Sequence, residues 1–135
     1  MMEIFLDLLR MATLAGLGFV IGGTFADIDL APPLPVKHRS AWTHGVLVPV
    51  VLYYVMDQPG GQIFWFTVGF LPAYSLHLLA DMFPKSWHGS AFINLHPLPG
   101  SFGTILSFLW LLAGVVASGY MFYLLVPTIK TVITG

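Results

Sequence analysis

His77 and Asp81 lie four positions apart in an apolar segment, and both residue types can bind a metal ion. On a helix, side chains four positions apart extend from one face on successive turns, so this imidazole and carboxylate can reach a common point. Zinc accepts histidine nitrogen and carboxylate oxygen as ligands, and carboxylate also suits a harder divalent ion such as manganese. The pattern His-x-x-x-Asp therefore predicts half of a divalent-metal site.

The other half is predicted in the segment "ADIDLAPPLPVKHRSAWTH", residues 26–44. Asp27 and Asp29 close the first apolar segment, and the two prolines within residues 30–33 favour an extended chain after it. Side chains two positions apart on an extended chain point to the same side. His44 begins the next apolar segment. We therefore predict that three helix ends bring five side chains to one zinc or manganese ion: Asp27, Asp29, His44, His77 and Asp81.

The composition indicates which elements position these residues. The chain has 135 residues, 57% of them hydrophobic and 8% charged, whereas ordinary soluble domains carry about 25% charged residues. Since so few charges do not cover a water-exposed surface, the lipid bilayer is the expected partner of the chain. Long apolar runs without alternation predict helices. We expect an all-α polytopic membrane protein, a four-transmembrane-helix bundle in a single domain of residues 1–135, with spans at about 4–26, 42–57, 62–83 and 102–127.

Several classes of function are excluded by what the sequence lacks. The chain has no cysteine, which excludes disulfides, thiolate catalysis and cysteine zinc sites. Its net charge is −1 without a basic run, so no nucleic-acid partner is expected. The motifs Gly-x-Ser-x-Gly, the P-loop and His-Glu-x-x-His are also absent.

All 5 histidines lie in or beside the two long connections, at about 27–41 and 84–101. With four spans, both connections lie on one side of the membrane, and the turn at 58–61 and both termini lie on the other. Ionisable residues within a membrane are costly and usually face the bundle interior, so this clustering indicates a functional site. Basic residues predict that the site side is cytoplasmic, because that side carries Lys37, Arg39 and Lys85 against Arg10 and Lys130.

Each candidate ligand also has a structural interpretation. Asp29 can cap a helix or a turn, and His44 can be a polar residue at the membrane interface. His77 and Asp81 can form a hydrogen-bonded pair that holds helices together. One shared site explains all of these residues together, whereas the structural interpretations need a separate reason for each.

The remaining polar residues lie in the connections. His88 and His96 favour solvated or structural roles over metal binding. Arg39 has two interpretations: an ion pair to Asp27 or Asp29, or a clamp for a phosphate group.

Three motifs carry a resemblance to a known family. In order, "GGTFADIDL", "HRSAWTH" and "HLLADMF" resemble the YdjM-like family of membrane-bound metal-dependent hydrolases of bacteria and archaea, over about residues 16–97. The resemblance implies that the metal-binding positions are Asp27, Asp29, His44, His77 and Asp81, and that the family's His-Arg is matched by His38 and Arg39. The chain departs from the family pattern at Ala26, where proline is frequent, and at Gly45, where serine is frequent.

The resulting expectation is a metal-dependent hydrolase of a prokaryotic inner membrane, acting on a lipid or lipid-linked phosphoester. The metal would activate water, His38 would move protons, and Arg39 would hold an anionic group. An alternative is a non-enzymatic accessory subunit of a larger membrane complex, whose helices pack against partners or pigments around a structural metal or polar core. A third interpretation is haem binding through His44 and His77.

Overall fold

Helices form the framework of the protein in a computed structural model, which describes residues 1–30, 39–56, 58–87, 91–95 and 98–134, and the backbone alone at 29 and 30. No strand occurs in these ranges, so the predicted all-α class is confirmed. The α-helices are α1 (Met2–Phe25), α2 (Leu47–Val55), α3 (Gln62–Asp81) and α4 (Thr104–Thr134). A 3₁₀ helix, Ala26–Leu30, extends α1.

Three helices are long and apolar enough to cross a membrane: Met2–Ile28, Gln62–Asp81 and Thr104–Thr134. A bilayer-spanning helix needs about 20 mostly apolar residues, and each of these segments meets that requirement. The chain is therefore a membrane protein by the length and composition of its helices. The predicted first and third spans agree closely with α1 and α3.

The predicted second span, 42–57, differs most from the structure. Its helix, α2, has only 9 residues and is about 14 Å long, roughly half of what a bilayer needs. Residues 41–46 form turns instead. The carbonyl of Ser40 accepts the N–H of His44 at 2.9 Å, and this hydrogen bond closes a turn before α2 begins. Pro49 is the third residue of α2, where it costs no helical hydrogen bond, so the predicted kink inside a longer helix is wrong.

The predicted fourth span, 102–127, also ends at a different residue. Helix α4 continues through Pro127 to Thr134. Proline removes one backbone donor but does not have to end a helix whose neighbouring turns are stabilised by packing. That stabilisation is present here, since the next turns of α4 lie against the turn at Gly60 through Val132.

Glycines bring α1 and α3 into close contact. A methyl group at Gly18 would meet the backbone oxygen of Phe66, and one at Gly69 would meet the backbone of α1. Small residues of this kind let helices in lipid approach each other closely. The contacts continue from Gly18 towards Gly23, whose carbonyl lies beside His77, so α1 and α3 run in the same direction.

Helix α3 is central, because it packs against both α1 and α4, while α2 packs chiefly against α4. Gly114 of α4 lies against Leu78, near the end of α3, and Val132 lies beside Gly60, just before α3 begins. Helix α4 therefore runs opposite to α3. The buried core at the end of α3 contains an aromatic and aliphatic cluster: Phe70, Tyr74, Leu78, Ile93 and Leu111.

The connection before α4 folds over that core. Asn94 forms single β-bridges to Ser40 on one side and Ser101 on the other. Its N–H donates to the carbonyl of Arg39 at 2.8 Å, and its carbonyl accepts the N–H of Ala41 at 2.8 Å. These hydrogen bonds tie the two long connections together above the end of the helices.

Candidate metal centre

Three side chains from three different segments meet at this end of the molecule. Asp27, His44 and His77 each offer one ligand atom, and these atoms all lie within 4.8 Å of one another. Asp27 Oδ1 is 3.7 Å from His77 Nε2. The group could hold a metal ion, and it consists of the mixed imidazole and carboxylate ligands predicted from the sequence.

Asp81 adds a second carboxylate to the cluster. Its Oδ2 lies 3.3 Å from His44 Nε2 and 3.5 Å from His77 Nε2. Tetrahedral ligands at 2.0–2.1 Å from zinc lie about 3.3 Å from each other, so these distances match the edge of a zinc tetrahedron. Helical spacing accounts for one of them, because His77 and Asp81 are one turn apart on α3.

The hydrogen bonds of the histidines direct both Nε2 atoms into the cluster. His77 Nδ1 lies 2.7 Å from the carbonyl oxygen of Gly23, so Nδ1 carries the hydrogen and Nε2 presents its lone pair in the neutral ring. His44 Nδ1 lies 3.0 Å from the hydroxyl of Thr43. Metal-binding histidines usually have their other ring nitrogen held in this way.

Two atoms of the cluster are buried without a hydrogen bond. Within the described residues, neither His77 Nε2 nor Asp81 Oδ2 has a hydrogen-bond partner. Leaving a buried polar atom unsatisfied costs about 1–3 kcal/mol, so such atoms need an explanation. A lone pair of Nε2 and a carboxylate oxygen 3.5 Å apart repel each other. An ion held by Nε2 would remove both costs, either with Oδ2 as a further ligand or with a bound water that donates to Oδ2.

Burial shows where the centre opens. The side chain of His44 is 0% exposed and that of His77 is 16% exposed, whereas that of Asp27 is 42% exposed. The opening is therefore on the α1 side, at the 3₁₀ helix that carries Asp27. The complete burial of His44 places its side chain inside the bundle and not on the surface of the protein.

Tyr74 holds the turn that carries His44, and sequence analysis missed this residue. Its hydroxyl donates to the carbonyl of Thr43 at 2.6 Å, and it accepts the N–H of Gly45 at 3.0 Å. Tyr74 lies on α3 one turn before His77, on the same face. Extending the predicted metal-binding face by one turn would have identified it as a polar residue aimed at the site.

Arg39 pairs with a residue that the sequence did not suggest. Its Nη2 lies 2.6 Å from Asp81 Oδ1, and its Nη1 donates to the carbonyl of Ala91 at 2.9 Å. The sequence allows an ion pair to Asp27 or Asp29, or a phosphate clamp, and the structure instead places Arg39 over the end of α3 beside Asp81. Its backbone has φ 58°, a left-handed conformation that side chains rarely adopt, held by the bridge to Asn94.

Gly45, where the resembled family often has serine, lies against α4. A methyl group there would meet the indole of Trp110, and Gly114 is the next contact on α4. The indole Nε1 also donates to the carbonyl of Ala41 at 3.2 Å. A side chain at this position would therefore have to displace the indole, and the Tyr74 hydroxyl supplies a polar contact beside His44.

Several predicted residues lie outside the described part of the chain. His38, His88 and His96 fall in the segments that the structure does not describe, and so does the side chain of Asp29. The backbone at Asp29 belongs to the 3₁₀ helix Ala26–Leu30, so the predicted extended exit from the first helix is wrong over these residues. A tight helical exit satisfies more backbone groups inside a membrane than an extended one does.

Comparisons of the chain with family models, with curated proteins and with solved structures find no match. The resemblance to the YdjM-like family therefore stays a prediction. The geometry of Asp27, His44, His77 and Asp81 is the feature of the structure that bears on function.

Proposed function

We propose that the protein is a hydrolase of a prokaryotic inner membrane that depends on a divalent metal ion. One observation carries the proposal: imidazole nitrogens and carboxylate oxygens converge at 3.3–3.7 Å, and two of the buried atoms have no hydrogen-bond partner among the described residues. In the proposed centre, Asp27, His44 and His77 are the ligands. Three protein ligands with one open position are typical of catalytic zinc sites.

In this proposal Asp81 accepts a proton rather than binding the ion. Its Oδ1 is engaged by Arg39 at 2.6 Å, which leaves Oδ2 to face the centre. Its Oδ2 lies beside both ring nitrogens, where water bound at the open position would be within reach. When bound, the ion would polarise a substrate oxygen and make its bound water more acidic.

The proposed reaction is hydrolysis of a phosphoester. A bond forms between the oxygen of water and phosphorus, and the bond from phosphorus to the alcohol oxygen breaks. Asp81 takes one proton from water and passes it to the oxygen of the departing alcohol. A lipid or lipid-linked phosphoester is the proposed substrate, because Asp81 is the last residue of α3 and the centre therefore lies near headgroup depth. Zinc is the proposed ion, with manganese as the alternative.

Two matched substitutions test the proposal. Asp27→Asn removes a ligand at a half-exposed position, and Asp7→Asn makes the same change on an exposed turn of α1. After loading with zinc or manganese, wild type and Asp7→Asn should retain one ion per chain, and Asp27→Asn should lose it. Absence of metal from the loaded wild-type protein would overturn the centre.

Asp81→Asn tests the hydrolytic role separately. This variant should retain the ion and lose most release of inorganic phosphate from phosphatidic acid in mixed micelles. A wild type that binds metal but hydrolyses neither this lipid nor a simple phosphomonoester would overturn the hydrolase and leave the metal centre intact.

A second candidate function is that of an accessory subunit, which the surface of α1 favours. Residues 2–10 are all exposed, including Phe5 at 60% and Leu8 at 53%. In that case Asp81 would be the fourth ligand of a closed structural site. Asp81→Asn would then lose the ion, and purification from native membranes would yield a stoichiometric complex.

Haem binding is the weakest of the three candidates. Asp81 Oδ2 lies close to both ring nitrogens, at 3.3 Å from His44 Nε2 and 3.5 Å from His77 Nε2. A haem iron between the rings would have to displace this carboxylate and break its pair with Arg39. Visible absorbance of the purified protein tests this candidate directly.

We also propose a fourth membrane crossing by the segment 42–57 together with its flanking turn. Gly45 lies against Gly114 and Gly60 lies against Val132, so the segment follows α4 for 18 residues, about 27 Å. That length approaches the roughly 30 Å of a bilayer core. The non-helical part is compatible with lipid because its backbone is hydrogen-bonded to Ser40 and Tyr74.

For orientation, we propose a cytoplasmic centre. The side of the centre carries Lys37, Arg39 and Lys85, the other side carries Arg10 and Lys130, and this excess of three basic residues over two supports the orientation. A cytoplasmic reading from a reporter fused to either terminus would reverse the orientation.

A further inference from the structure

A groove on the far side of the His44 turn belongs to no part of the proposed centre. It has a volume of about 320 Å³ and lies between α2, α4 and the loop before α4. Val46, Leu47 and Val50 form one wall, and Phe102 and Trp110 form the other. The walls are almost entirely apolar.

The polar atoms near the groove already have partners. Trp110 Nε1 donates to the carbonyl of Ala41 at 3.2 Å, and the N–H of Ala41 donates to Asn94 at 2.8 Å. Water in such a space would find few hydrogen bonds, and ordered water needs two to four polar partners. The chemistry of the groove therefore selects a hydrocarbon.

The groove is continuous with the part of the surface that faces lipid. Leu47 is 39% exposed and Val51 is 49% exposed on α2, and Leu106 is 57% exposed on α4, a helix long enough to span the membrane. Trp42, at the rim, is 57% exposed. Tryptophan is enriched at the membrane–water interface, so the rim corresponds to headgroup level.

The position of the groove favours a lipid chain over a helix of a partner. A helix about 10 Å across would lie over the groove, whereas lipid beside the exposed Leu47 and Val51 can extend one chain into it. A single flexible hydrocarbon chain fits such a space.

We propose that this groove binds one hydrocarbon chain of a membrane lipid, with the polar end of the lipid beside Trp42. The bound chain packs against the outer side of the turn 41–46, whose inner side presents His44 to the metal centre. This binding does not depend on the hydrolase proposed above, because it uses no group of the centre.

The test uses fluorescence quenching by phosphatidylcholine with brominated acyl chains, in vesicles and without added metal. One protein keeps Trp110 as its only tryptophan, with phenylalanine at the other three positions. A second keeps only Trp65, which is 5% exposed in the core away from the groove. Quenching should be at least twofold stronger for Trp110 than for Trp65, and equal quenching would overturn the proposal.

Two neighbouring substitutions in the Trp110 protein then distinguish groove binding from general contact with lipid. Val50→Phe fills the groove and should at least halve the quenching, whereas Val51→Phe, an exposed neighbour outside the groove, should leave it unchanged. Equal quenching in the two variants would overturn the proposal.

A titration of the two single-tryptophan proteins, both with Val50 intact, gives a readout that does not depend on Val50→Phe folding correctly. A brominated fatty acid should quench Trp110 to saturation and Trp65 in proportion to its concentration. A Trp110 response that stays proportional, or that changes with protein density as a second copy in the groove would require, would overturn the assignment to lipid.

Discussion

Replacing Arg39 with methionine should strongly destabilise the metal-free protein. The pair to be broken joins Arg39 Nη2 and Asp81 Oδ1 at 2.6 Å, with side-chain exposures of 9% and 17%. Removing one partner of a buried ion pair costs about 3–5 kcal/mol, because the other charge stays buried. Since Asp81 keeps His44 and His77 nearby and some exposure, we expect the lower end, about 3 kcal/mol.

Methionine isolates the charge from the packing and the backbone. Methionine keeps an unbranched apolar side chain where the Arg39 stem packs. Like arginine, it has a Cβ, so the cost of the left-handed φ of 58° is the same in both proteins. Arg39→Met also loses the hydrogen bond to the carbonyl of Ala91. The control is Lys85→Met, the same kind of change at an exposed position. Lys85→Met should change the free energy of unfolding by less than about 0.5 kcal/mol.

A double-mutant cycle separates the ion pair from these other losses. Asp81→Asn alone leaves Arg39 without its carboxylate, and the double variant Arg39→Met/Asp81→Asn leaves no buried charge from the pair. The double variant should therefore be more stable than the sum of the single losses by about 1.5–3 kcal/mol.

The assay is unfolding of the metal-free protein in mixed detergent micelles by increasing sodium dodecyl sulfate, followed by far-ultraviolet circular dichroism. Chelator in all samples keeps a bound ion from compensating the loss of Arg39. A coupling energy below about 0.5 kcal/mol would refute the conclusion that the pair is buried and energetically joined.

Three further substitutions test the packing that supports the centre. Gly69→Ala should cost at least about 2 kcal/mol in the same unfolding assay, because its methyl group meets a backbone oxygen. The control Gly16→Ala has nothing within 4 Å of its methyl group and should be neutral or stabilising. Equal effects of the two substitutions would contradict the close helix contact. Tyr74→Phe should cost about 1–3 kcal/mol and weaken metal retention, since it leaves the N–H of Gly45 unsatisfied; unchanged zinc affinity would disprove its role in holding the turn. Gly45→Ser, the residue of the resembled family, should destabilise by about 1–3 kcal/mol, and the smaller side chain of a Trp110→Phe background should recover part of this loss.

Local pattern predicted some of the elements well. Helices α1 and α3 begin and end within a few residues of the predicted spans, because an uninterrupted apolar run of membrane length has few alternatives in lipid. The prediction failed where a short polar group interrupts the run. The carbonyl of Ser40 accepts hydrogen bonds from the N–H of His44 and from the hydroxyl of Thr43, and these turns replace the first part of the predicted second helix.

In the candidate centre, too, helical spacing predicted some neighbours and not others. His77 and Asp81 share a helix face, so helical spacing alone was enough to predict that they are neighbours. The pairing of Arg39 with Asp81 was not predictable in that way, because the two residues are 42 positions apart. It depends on the shape of the turn and on the bridge of that turn to Asn94.

By itself, the sequence determined that the chain is an all-helical membrane protein, and it predicted that the histidines lie at one end. These properties follow from composition and from helical periodicity, which act over a few residues at a time. Only the tertiary structure decided which of those residues meet. Asp27, His44 and His77 converge because glycine contacts set the register of α1 against α3 and because Tyr74 holds the His44 turn. Such contacts join segments that are distant in sequence, so spacing along the chain carries no information about them.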